Sequence, residues 1–140
     1  MTSVNPQKTI GKHHLEYLDR GIMLTRYEGD VDEHQMQELM DFIQPLMSTE
    51  KTVVYITDMS RMGKFTPEAR RLISTNTATP AGQEVHIYMV HATMMTRAAM
   101  QLVITAAKLA TRSRFQLKSF NSVEEAVTCA RAAVRELAPA

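Results

Sequence analysis

Three observations predict an α/β domain built on a mixed, mostly parallel sheet. Short apolar runs rich in β-branched residues, Val53-Val54-Tyr55-Ile56 and Val85-His86-Ile87-Tyr88-Met89-Val90, are too brief for helices and suit strands covered on both faces. Between them lie longer segments whose apolar residues recur every three or four positions, the period of a helix with one buried face. Strands and helices in alternation build parallel sheets through crossover connections. Ahead of them, His14-Leu15-Glu16-Tyr17-Leu18 and Ile22-Met23-Leu24-Thr25-Arg26-Tyr27 flank Asp19-Arg20-Gly21, which reads as the tight turn of an N-terminal hairpin. The predicted order is β-β-α-β-α-β-α-β-α, with about four helices.

Residues 1–12 are polar and aperiodic, and Pro6 with Gly11 marks them as a mobile lead-in, leaving 13–140 as one domain. From Asp32 to Met47, Met36, Leu39, Met40, Ile43, Leu46 and Met47 share one helical face. Pro45 is expected to kink or end that helix, because it has no amide to donate. After the strand Thr52 to Thr57, residues Asp58 to Phe65 read as a loop. Thr66 is the N-cap of the next helix, with Pro67 at its first position and Glu68 in its first turn. That helix runs to about Thr75, and a loop spans Asn76 to Gly82. The strand over Val85 to Val90 follows, then a helix from Met94 to Thr111 and a last strand from Phe115 to Phe120. The closing helix opens with Ser122 and Glu125 in a capping-box spacing and turns Val123, Ala126, Val127, Ala130, Ala133, Val134 and Leu137 inward.

Composition narrows the function. The 140 residues are 44% hydrophobic, enough for a real core. Sixteen basic and fifteen acidic residues leave a charge of +1, so no global field gathers nucleic acid or anionic lipid. A single cysteine, Cys129, permits no intrachain disulfide and fits a reducing compartment. No stretch reads as a secretory signal or a membrane span, so a cytoplasmic protein is expected. The five histidines lack the helical pair with a third ligand that marks a metal site, and no phosphate-binding or nucleophile-elbow motif is present. No cofactor is expected, and no paired acid, base and nucleophile point to an enzyme.

Two segments stand out. The connection from Asp58 to Thr66 interleaves Met59, Met62 and Phe65 with Ser60, Arg61 and Lys64, and Arg70 follows on the next helix. Apolar bulk beside positive charge at a strand-to-helix connection is where an α/β domain presents its partner surface. Ser60 and Thr66 are the hydroxyls there, and a phosphate on either would have Arg61, Lys64, Arg70 and Arg71 nearby in sequence. The second segment is the helix Met94 to Thr111. Arg97, Gln101, Thr105, Lys108 and the following Arg112 form one narrow polar stripe, and the remainder is apolar. A helix covering one sheet needs an apolar arc of roughly 100°. This arc is wider, so neighbouring helices cover the surplus, or the helix forms a homodimer interface, or Met94, Met95, Met100 and Val103 wall a pocket for an apolar ligand.

Tyr27-Glu28-Gly29-Asp30-Val31, the strand from Thr52 through Asp58-Met59-Ser60, and Ser119-Phe120-Asn121-Ser122-Val123-Glu124-Glu125-Ala126 together resemble a STAS domain, over about residues 14–137. This is the fold of SpoIIAA-type anti-sigma-factor antagonists and of the cytoplasmic tails of sulfate transporters. The resemblance implies a bacterial, non-enzymatic signalling module whose working surface is the loop and helix after Asp58. Its partner would be an anti-sigma-factor-like kinase or another signalling protein. In the antagonists that loop carries D-S-S-G with a phosphorylated second serine. The matching stretch here reads Gly63-Lys64-Phe65-Thr66, without that serine, leaving Thr66 or Ser60 as the nearby acceptors. A STAS/SEC14-like branch is associated with lipid or other apolar ligands, which the Met-rich helix would suit.

Overall fold

A computed structural model describes residues 6–75, 82–111 and 114–137. Six strands form one sheet in the order β1(Gln7–Ile10), β2(His13–Asp19), β3(Ile22–Val31), β4(Thr52–Phe65), β5(Glu84–Val90) and β6(Arg114–Phe120). The first three are antiparallel, and β3 through β6 are parallel. Helices α1(Glu33–Met47), α2(Pro67–Thr75) and α3(Met94–Thr111) make the crossovers, and α4(Val123–Leu137) ends the chain's described part. Crossovers of one hand stepping in one direction place their helices on one face. Accordingly α1, α2 and α3 cover one side of the sheet and α4 covers the other.

The period of two along each strand divides the core. Met23, Val53 and Val85 pack with Met36, Leu39 and Met47 of α1 and Ala69 of α2. Their strand neighbours Ile22, Leu24, Val54, Ile56, Tyr88 and Val90 pack with Ala126 and Ala130 of α4. On that second side the half-buried Cys129 donates to the Tyr88 hydroxyl at 3.5 Å. His86 is buried there with neither ring nitrogen hydrogen-bonded. Glu84 Oε2 lies 3.4 Å from its Nε2, near enough for attraction yet not aligned to bond.

Local signals account for the helix starts. Asp32 caps α1 by accepting from the Gln35 amide at 2.8 Å while the Gln35 side chain accepts from the Asp32 amide. Thr66 Oγ1 accepts from the Ala69 amide, and Ser122 Oγ from the Glu125 amide. The helix α1 continues two residues past Pro45, which therefore sits in its last turn without ending it.

Two expectations change. Residues 7–10, read as part of a lead-in, form an edge strand. Their polar side chains are exposed, while the backbone bonds to β2 and Ile10 reaches the core. Residues 58–65, read as a loop, are strand. Strand β4 runs 14 residues and stays paired with β3 through Glu28↔Arg61, Gly29↔Met62 and Val31↔Phe65, across two register shifts. Carboxylates hold the irregular places. Asp58 Oδ1 accepts from the Ser60 amide while its Oδ2 pairs with Arg26 at 3.1 Å, and Asp30 Oδ1 accepts from the Lys64 amide. Gly63 is required at the second shift, since a Cβ there would lie 2.8 Å from the Gly29 carbonyl carbon and 2.9 Å from the Asp30 nitrogen. Residues 1–5, the predicted loop over 76–81 and Arg112 lie outside the described residues.

Candidate functional site

The helix-covered face of the sheet has a hollow at its middle. Helix α2 spans nine residues and touches both α1 and α3, so the two longer helices stand apart over the strands between them. A pocket of about 200 Å³ remains, partly open to solvent and floored by Thr25 and Tyr27 of β3, Tyr55, Thr57 and Met59 of β4, Val85 and Ile87 of β5, and Phe115 of β6. Met36, Leu39, Met40, Ile43 and Met47 of α1, Ile73 of α2, and Met100, Val103 and Ile104 of α3 form its walls. Engineered apolar cavities of ~150 Å³ remain dry and take up benzene, so this volume admits a ring or a short aliphatic segment. The methionines make the walls adaptable in shape.

The pocket's polar groups are Thr25, Thr57, Tyr27, Tyr55, Gln44, Ser48 and Gln83, the last donating to the Met47 and Glu50 carbonyls. Thr25 and Thr57 are register partners on its floor. The phenols of Tyr27 and Tyr55 have no hydrogen-bond partner among the described residues, whereas the Tyr17 hydroxyl accepts from the Gly21 amide. Burial pushes the Tyr55 phenol up to about 12 and raises that of Tyr27 further. Both tyrosines nonetheless retain some accessible surface. Both rings line the hollow. Each phenol is therefore protonated at neutral pH and free to donate. Tyr27 is held between His13 and Phe65 by edge-to-face contacts with centroids 5.5 and 5.2 Å away. His13 is itself fixed, with Nδ1 accepting from the Glu28 amide and Nε2 donating to the Asp30 carbonyl.

Residues singled out from the sequence divide between this cavity and the surface. Met59 is 7% exposed and lines the cavity, so it does not reach an outer docking patch; Phe65 also lines the cavity but is only half-buried. The physical reason is the strand itself, whose alternation turns Met59 toward the core and whose last residue packs on Tyr27. Ser60, Arg61, Lys64 and Arg70 are exposed and Met62 is half-buried. Arg61 lies 3.8 Å from Glu28. Thr66 is committed as a cap, and Ser60 lies six residues before it in extended chain, at ~3.3 Å per residue too far to share the amides of the α2 start. Met100 and Val103 line the cavity, but Met94 and Met95 point to solvent. Tyr27, Tyr55, Thr25 and Thr57 were not singled out; their alternation with Ile56 and Leu24 was the available signal. Among the described residues no group of three or more His, Cys, Asp or Glu is placed to hold a metal, and no helix is long and apolar enough to cross a membrane.

No protein-family model matches the sequence, and no curated protein does. Solved structures do resemble it. The anti-sigma factor antagonist SpoIIAA in its unphosphorylated form is 14% identical, with 85% of this chain and 97% of that one covered at a TM-score of 0.57. The Bacillus cell fate determinant SpoIIAA in the phosphorylated form is 13% identical, with 84% and 97% covered at a TM-score of 0.55. At such identity the likeness concerns the fold, and the six-stranded, mostly parallel sheet with four helices is consistent with it. The chain thus adopts the STAS-type fold of SpoIIAA.

Proposed function

We propose that the protein is a non-enzymatic binding module that takes a small, largely apolar ligand into the cavity between the sheet and α1 to α3. The observation that carries this reading is the ~200 Å³ hollow itself, because protein interiors are ordinarily packed to crystal-like density with few voids larger than a water. The hollow opens partly to solvent, and its apolar walls forgo burial that a ligand would restore. The side chains of Tyr27, Tyr55, Gln44 and Ser48, unpartnered among the described residues, shape the ligand's chemistry: an aliphatic or aromatic body carrying a small polar head, such as a carboxylic acid, ester or ketone. Titration of the purified protein with N-phenyl-1-naphthylamine, followed by displacement with a homologous series of straight-chain fatty acids, tests it. Saturable fluorescence enhancement and a chain-length cut-off are expected. Absence of saturable binding, together with a ligand-free mass for natively purified protein, refutes it.

A second reading is supported by the exposed end of β4 and the start of α2. Ser60, Arg61, Lys64 and Arg70 are exposed and Met62 half-exposed, a cationic rim suited to an acidic protein surface such as that of a signalling kinase. The likeness to an antagonist known in phosphorylated and unphosphorylated forms accords with it. Recovery of the same partners by wild type and by a Met62→Asp, Arg61→Glu, Lys64→Glu variant would remove this reading.

A further inference from the structure

Among the described residues four large apolar side chains are strongly exposed, and all four belong to α3: Met94 at 79%, Met95 at 83%, Leu102 at 75% and Leu109 at 84%. Met95, Leu102 and Leu109 stand seven residues apart and so fall within about 40° of one another around the helix. Ala98 and Ala106, also exposed, continue the ridge. The Thr105 hydroxyl donates back to the Gln101 carbonyl at 2.8 Å, which satisfies its polarity within the helix. Ile104, on the other side of α3, is 2% exposed and closes the cavity. The helix therefore has two apolar faces, and only the inner one is used by the fold.

Charge and area decide what the outer face meets. The segment Met94–Thr111 contains no acid, and its charged residues are Arg97 and Lys108, both exposed and neither ion-paired among the described residues. A second copy would set cations against cations. It would also gain little contact: a helix of 18 residues is about 27 Å long and about 10 Å across, giving roughly 300 Å² per partner against the ~800 Å² of a stable interface. The ridge lacks the aromatic anchors that dominate protein interfaces. A bilayer surface requires no complementary groove, accepts a convex aliphatic ridge to a depth of ~5–10 Å, and draws flanking cations to anionic headgroups. We propose that the outer face of α3 docks on anionic membrane surfaces, with Met95, Leu102 and Leu109 entering the acyl boundary and Arg97 and Lys108, about 120–140° round the helix from that ridge and on one side of it, extending their long side chains back to the headgroup phosphates.

Flotation of the full chain with vesicles of phosphatidylcholine, and of phosphatidylcholine mixed with phosphatidylglycerol, tests the proposal. Binding to the mixed vesicles that weakens with salt is expected. A Leu102→Asp, Leu109→Asp variant, altered only at exposed positions, should lose at least tenfold in partition with an unchanged circular dichroism spectrum. An Arg97→Ala, Lys108→Ala variant should lose roughly 25-fold on anionic vesicles, at about fivefold per cation, and little on neutral ones. Failure to bind either vesicle, or binding indifferent to Leu102→Asp, overturns the proposal. So does a dimer in sedimentation equilibrium that Leu102→Asp dissolves, which would assign the face to a second copy.

Discussion

Replacing Val103 by Phe separates a hollow core from a filled one by the sign of a stability change. Val103 lies on the inner side of α3 among the cavity walls, beside Met100 and Ile104. The substitution adds roughly 50 Å³ of side chain; a sealed cavity costs about 24 cal/mol per Å³, so filling a quarter of this partly open hollow should stabilise by up to about 1 kcal/mol. For a chain of this size that corresponds to a rise in Tm of about 3–4 °C. In a close-packed core the same change would force off-rotamer side chains and cost about 1–3 kcal/mol. Chemical denaturation monitored by circular dichroism reads the difference directly, and N-phenyl-1-naphthylamine titration of the same variant should show weakened binding. Destabilisation by more than 1 kcal/mol with probe affinity unchanged would refute the reasoning, since it would mean that no usable volume faces Val103.

Further outcomes follow from the polar groups and the backbone. Tyr55 has its phenol raised to about 12 from an ordinary value of 10, so the folded state favours the neutral form. Its contribution is whole below pH 10 and is lost as pH rises from 10 through 12; phenolate absorbance should show a late step near pH 12 that Tyr55→Phe removes, while Tyr55→Phe itself changes stability at pH 7 by less than ~1 kcal/mol because the hydroxyl has no partner to lose. His86 has a pKa lowered first by burial, with Glu84 acting in the opposite sense and Lys118 in the same one. The stability tied to its neutral form is present above pH 6.5 and declines as pH falls through the lowered folded value, so His86→Phe should flatten the denaturation midpoint between about pH 7 and 5. Gly63→Ala should cost about 1–3 kcal/mol in urea denaturation, because its Cβ would press on the backbone at Gly29 and Asp30.

Helices were legible because their signals are local. Thr66 and Ser122 each cap the helix they precede in the chain, and the three- and four-residue spacing within α1 and α4 identifies their buried faces; Asp32, read as part of α1, is instead its cap. The strands that escaped detection depend on partners distant in sequence. Residues 7–10 carry three exposed polar side chains and are strand only because β2 offers a backbone to pair with. The far end of β4 contains Ser60, Arg61, Gly63 and Lys64, which read as loop residues. It remains extended because β3 is equally long and because Asp30 and Asp58 accept the amides that the register shifts release. The excess width of the apolar arc on α3 was evident from the sequence, and its two faces explain it. The hollow was not evident, since an internal volume depends on how far α1 and α3 stand apart, a distance no single segment encodes. For the same reason Met59 and Phe65 read as surface until the strand's alternation and the Tyr27 contact turned them inward.

Xenon enters dry apolar cavities and leaves packed cores alone. Diffraction from crystals pressurised with xenon should therefore show an anomalous peak in the hollow bounded by Tyr55, Ile87, Met100 and Ile104, displaceable by the ligand that fluorescence titration identifies. Side chains or ordered waters filling that space, with no xenon bound there, would contradict a binding role for the cavity.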